Sequence, residues 1–161
     1  MAVGGSPEEV VKGLFAALLV LGAGFFAYQQ VVRVRQVGCY EKLADAWARG
    51  RTDEALQFAA GDDVRRSLEQ HPLRSLVDAR MIEALHGIRS TVESSSHRDD
   101  GEVEIEAKQT IAFDPPGITS AIGGAMIMSF HHSARLRKTD DGWKVVAFEP
   151  TFIEMRRIPR H

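Results

Sequence analysis

The chain has 161 residues, 20 basic and 22 acidic side chains and a formal charge of −2. That balance excludes an overall basic field for nucleic acid, and the length fits about one domain by a prior of roughly 100–200 residues each. The one cysteine, Cys39, excludes an intramolecular disulfide and does not choose between redox compartments.

Residues 13–32 read GLFAALLVLGAGFFAYQQVV, without a charged side chain. At about 1.5 Å per residue they reach ~30 Å, the thickness of a bilayer's hydrocarbon core. Tyr28, Gln29 and Gln30 fall near one end, at headgroup depth, where amphipathic rings are favoured. Lys12 closes one side, and Arg33 and Arg35 close the other with stems long enough to snorkel. A core helix of a small domain is seldom apolar on every face, so this stretch is expected to span a membrane. A cleavable signal is the rival. Its n-region is poor, because Glu8 and Glu9 offset Lys12, and Phe25 and Phe26 precede Ala27 where a small-x-small site should be.

The expected organisation is a tail over 1–12, a transmembrane helix over 13–32 and a juxtamembrane linker over 33–38. A globular domain over 39–154 and a basic tail over 155–161 follow. The lipid bilayer is then a partner through residues 13–32. Lys12 on one side against Arg33, Arg35 and Lys42 on the other points to a cytoplasmic domain, with periplasmic exposure as the alternative. A bacterial inner membrane is the expected location.

Helical spacing begins directly after the anchor: Tyr40, Leu43, Ala44, Trp47 and Ala48 make one apolar stripe. Gly50 suits a left-handed stop, and Thr52 suits an N-cap with Asp53 and Glu54 in the first turn. Ala55, Leu56, Phe58 and Ala59 give a short second helix. Asp62 or Asp63 caps a third through Val64 and Leu68. After Pro72 the spacing of Leu73, Leu76 and Val77 predicts another helix to about Leu85.

The period then changes to two. Residues 102–113 place Val103, Ile105, Ala107, Ile111 and Phe113 on one face and Glu102, Glu104, Glu106, Lys108 and Thr110 on the other, a half-buried strand. A turn at 97–101 makes residues 88–96 its hairpin partner. Residues 126–138 alternate again, with Met128, Phe130, His132, Ala134 and Leu136 together. The turn at 139–142 leads into a last strand from Trp143 to about Ile153. Helices first and an antiparallel meander second predict an α+β domain.

Two stretches resemble the NTF2-like superfamily. Residues 44–56, ADAWARGRTDEAL, are similar to its first helix, turn and second helix, and residues 140–146, DDGWKVV, to its closing hairpin and final strand. The resemblance covers about 39–154. It implies a cone-shaped α+β fold in which about three helices pack on a curved antiparallel sheet, with a pocket at the wide end. Some members are isomerases, dehydratases or cyclases, and others are non-catalytic modules of membrane assemblies. The fold does not choose between them.

For chemistry, His132 and Glu149 are the catalytic candidates. Trp143, Val145, Ala147 and Glu149 share a face of the last strand by simple alternation. Pairing through the 139–142 turn then brings Glu149 near His132, and a histidine held by a carboxylate can act as a general base. The plainer reading packs His132 in the core and leaves Glu149 at the rim. His131 and His132 point to opposite faces, and His71, His86, His97 and His161 show no ligand spacing, so neither metal nor cofactor is expected. Ile118 and Ile122, in the uncharged segment 115–124, are candidate partner contacts. Together these features predict a membrane-anchored module that works by binding or assembly, with a protein partner or a second copy and no nucleic acid. A small isomerase or dehydratase using His132 and Glu149 is the alternative.

Overall fold

The computed structural model describes residues 7–69, 85–114 and 124–159. The chain falls into two compact units, Met1–Arg35 and Gln36–His161. Helix α1 (Pro7–Ala48) contributes to both. In the first unit its apolar side chains, Leu14, Leu18, Leu21, Phe25 and Phe26 among them, are exposed, and the helix is long and apolar enough to cross a membrane. Helix continues through 33–38, where a linker was expected. Arg-Val-Arg-Gln-Val holds no helix breaker, the single Gly38 costs only about 1 kcal/mol, and Gln36 already belongs to the buried stripe that continues through Cys39, Tyr40 and Leu43.

In the second unit, α1 ends where glycine permits. Gly50 takes φ 68°, its N–H donates to Trp47 O at 2.8 Å, and Arg51 N–H donates to Ala46 O at 2.9 Å. These two bonds form a Schellman stop. Helix α2 (Thr52–Leu56) starts at Thr52 itself, so its cap lies one residue earlier than expected: Arg51 holds the N-cap position, without a side-chain cap bond. Helix α3 (Asp62–Glu69) buries Val64 and Leu68. The helix expected over 73–85 lies outside the described residues, apart from Leu85, which opens a strand.

Four antiparallel strands follow in sequence order: β1 (Leu85–His97), β2 (Val103–Phe113), β3 (Gly124–Thr139) and β4 (Gly142–Pro159). The core forms where the stripe Tyr40, Leu43, Ala44 and Trp47 meets the inward faces of β2 and β3, together with Val145 and Phe148. Gln109 faces inward among them. Its Nε2 donates to Ala44 O and to Ser90 Oγ, each at 3.0 Å, and so ties α1, β1 and β2 together.

Two details depart from simple alternation. Glu102, expected on the wet face, is buried to 2% exposure just before β2, where Arg135 and Arg137 of β3 pair with it. In β4, Leu136 pairs with Val145 but Arg135 pairs with Ala147, so Val146 is an extra residue in a bulge. From there the faces of β4 exchange, as a single inserted residue requires. β4 also runs on to Pro159, pairing with residues 124–128 of β3, so positions 155–159 are strand where a basic tail was expected.

Candidate functional site

His132 is fully buried, at 0% exposure. A 2.9 Å hydrogen bond joins its Nδ1 to the Tyr40 hydroxyl, the donor being set by the ring's tautomer. The rings of Trp47 and Phe148 stand edge-on to the imidazole with centroids 5.1 and 4.9 Å away, and Phe130 lies at 6.4 Å. The histidine is thus enclosed by aromatic side chains from α1, β3 and β4.

Glu149 is not part of this group. The Val146 bulge turns it outward: it is exposed and pairs across the ladder with Ser133, while His132 stands opposite Pro150. The expected shared face of His132 and Glu149 therefore does not form. Tyr40 is the polar neighbour instead, 92 residues away in sequence. Nothing in the local pattern announces this, because Tyr40 reads as one more member of an apolar helical stripe.

His131 faces the opposite side of β3, as alternation requires, with Nε2 3.2 Å from Glu106 and 3.9 Å from Glu93. Among the described residues no cluster of His, Cys, Asp and Glu has the geometry of a metal site. Ile118 and Ile122 lie outside the described residues. Of the surface clefts, one is lined by Gly50, Arg51, Asp53, Glu54 and Arg65, and another by Gly87, Arg89, Thr110 and Ile127. Neither cleft includes Tyr40 or His132.

Burial raises the Tyr40 phenol above its ordinary range, and the charges of Glu41 and Glu106 push it the same way. Burial likewise raises the Cys39 thiol, against the lowering effect of Lys144. Cys39 stays a thiol and donates to Trp143 O at 3.1 Å.

A raised acid holds its proton in the folded state after the unfolded chain has released it. Its contribution to stability is therefore complete below the unfolded pKa of about 10 and falls as pH rises beyond it. Cys39 acts in the same direction from about pH 9. Urea melts are expected to show stability declining above about pH 9–10. Tyr40→Phe should flatten the part of that decline above about pH 10 while costing about 1–3 kcal/mol at neutral pH, because the buried His132 Nδ1 loses the Tyr40 hydroxyl. An unchanged slope in Tyr40→Phe would assign the decline to other groups.

No protein-family model and no curated protein matches this sequence. Solved structures do. A ketosteroid isomerase-like protein from Erwinia carotovora atroseptica aligns with a TM-score of 0.52 at 11% identity, covering 75% of this chain and 95% of that one. An NTF-2 like protein of unknown function from Shewanella oneidensis aligns at 0.48 and 11% identity, over 71% and 94%. The VirB8 protein of Agrobacterium tumefaciens aligns at 0.49 and 17% identity, over 77% and 92%. Identities this low speak to fold alone. With the four-stranded meander and the helix packed on it, the alignment at 0.52 shows that the chain carries, after its apolar N-terminal helix, the α+β fold of the ketosteroid isomerase-like protein, the NTF2-like fold expected from the sequence.

Proposed function

We propose that this chain is a single-pass, membrane-anchored NTF2-like module that works by binding or assembly and not by catalysis. The observation that carries this reading is the state of His132. Of the two candidates, His132 is the one that faces inward, and it is enclosed by Tyr40, Trp47, Phe130 and Phe148 and has no exposed surface. A general base must come within hydrogen-bond reach of a substrate proton, and a side chain packed on all sides is not placed to do so. The outward turn of Glu149 removes the carboxylate that the isomerase or dehydratase alternative needs beside it. In this reading the anchor lies in an inner membrane and the flanking arginines hold the domain on the cytoplasmic side.

The test is His132→Gln in the full-length chain. A neutral amide of similar size can accept or donate to the Tyr40 hydroxyl, so the fold should be kept within about 1–2 kcal/mol. Complementation of a deletion strain should be near normal. A variant that melts like the parent yet fails to complement would favour an enzyme with His132 as its base.

A further inference from the structure

The outer edge of β4 is closed along its first half. Val145 N–H donates to Phe58 O and Ala60 N–H donates to Val145 O, both at 2.8 Å, and Ser67 Oγ donates to Phe148 O at 2.5 Å. The second half differs. Every residue from Thr151 to Ile158 is exposed, including Phe152 at 52%, Ile153 at 48%, Met155 at 53% and Ile158 at 41%. β3 lies on one side of this stretch, and among the described residues no strand lies on the other. A long apolar edge strand is a template for pairing with another strand.

Charge indicates which strand. Two copies related by a two-fold axis perpendicular to the sheet pair antiparallel, and directly opposed residues then share a face. Centring such a pair on Glu154 sets carboxylate against carboxylate, and centring on Arg156 or Arg157 sets guanidinium against guanidinium. Centring on Ile153 runs the ladder through the residue that is displaced by the second bulge of β4. Centring on Met155 does the opposite. Glu154 of each copy then stands across from Arg156 of the other, twice by symmetry, and Met155 meets itself. Glu154 and Arg156 do share a face, since they pair in unbroken register with Ser129 and Ile127.

We propose that the chain forms a two-fold dimer through the exposed half of β4, centred on Met155, joining two four-stranded sheets edge to edge. This deepens the assembly reading and rests on it, by naming a second copy as the occupant of this edge. A contact made by one strand is small beside the roughly 800 Å² per partner of a standard interface. Confinement of both copies to one bilayer supplies the effective concentration that such a contact needs.

The experiment uses the full chain in lipid vesicles, with Met155→Cys as the reporter of self-pairing. Native Cys39 is buried, so the parent chain serves as the uncrosslinked control. Mild oxidation should link Met155→Cys chains into dimers. Adding Glu154→Arg or Arg156→Glu alone turns two attractive pairs into two repulsive ones and should lower the yield by about tenfold. The double exchange, Glu154→Arg with Arg156→Glu, should restore it to within about twofold. Both positions are exposed, and circular dichroism of each variant checks that the fold is unaltered. No dimer from Met155→Cys, or a double exchange no better than the singles, would overturn the proposal. Either result with a His132→Gln chain that still complements would leave the assembly reading in place with a different occupant on β4.

Discussion

Trp47→Ala is expected to cost about 3–5 kcal/mol and to leave the globular domain unfolded or nearly so. Trp47 is 1% exposed and is the largest fully buried side chain of the core. Its indole stands edge-on to Phe130, His132 and Phe148, with centroids 5.3, 5.1 and 5.6 Å away. Such aromatic pairs add about 0.5–1.5 kcal/mol beyond area burial, and truncation removes three of them while opening a cavity. A domain of this size has about 5–15 kcal/mol in hand, so the loss is a large share. Trp143 supplies the control. Alternation alone makes it the core tryptophan of the last strand, but it is only half-buried and packs at the margin of the core. Trp143→Ala should therefore cost clearly less than Trp47→Ala in the same urea melts. Equal losses would contradict the placement of the core around α1.

The second large effect concerns the anchor. The full-length chain is expected to stay wholly with membranes through alkaline carbonate extraction, whereas a chain beginning at Gln36 should be recovered in the supernatant. Leu14, Phe15, Leu18, Leu19, Leu21, Phe25 and Phe26 are each about 60–70% exposed. Removing each large apolar side chain from water gains about 1.5–3 kcal/mol, so the helix as a whole favours lipid by well over 10 kcal/mol. Residues from Gln36 onward form a compact unit of their own, which is why the shortened chain should stay folded. Release of the intact chain by carbonate would rule out a spanning helix. The same cells report the side: Asp140→Cys, on the exposed closing hairpin, should react with an impermeant thiol reagent only after lysis if the domain is cytoplasmic. Labelling with the inner membrane intact would place the domain in the periplasm.

The features that were legible in the sequence are those set by neighbours along the chain. The long N-terminal helix is a matter of continuous apolar length. The stripe Tyr40, Leu43, Ala44, Trp47 and Ala48 follows the 3.6-residue period of a helix, and all five residues are buried. Gly50, Gly101 and Gly142 mark turns because each takes a positive φ, at 68°, 80° and 111°. The inward face of β3, from Met128 to Leu136, follows the two-residue period through to His132. Tertiary structure decided the rest. One extra residue at Val146 exchanges the faces of β4 and sends Glu149 outward, since alternation carries no memory of an insertion that only pairing with β3 reveals. Glu102 is buried because two arginines of a later strand cover it, and His132 finds Tyr40 because the fold brings β3 onto α1. Contacts across so many residues depend on how the layers pack, which no local period encodes. A period tells a side chain which way to face, and only the packed layers supply what it meets there.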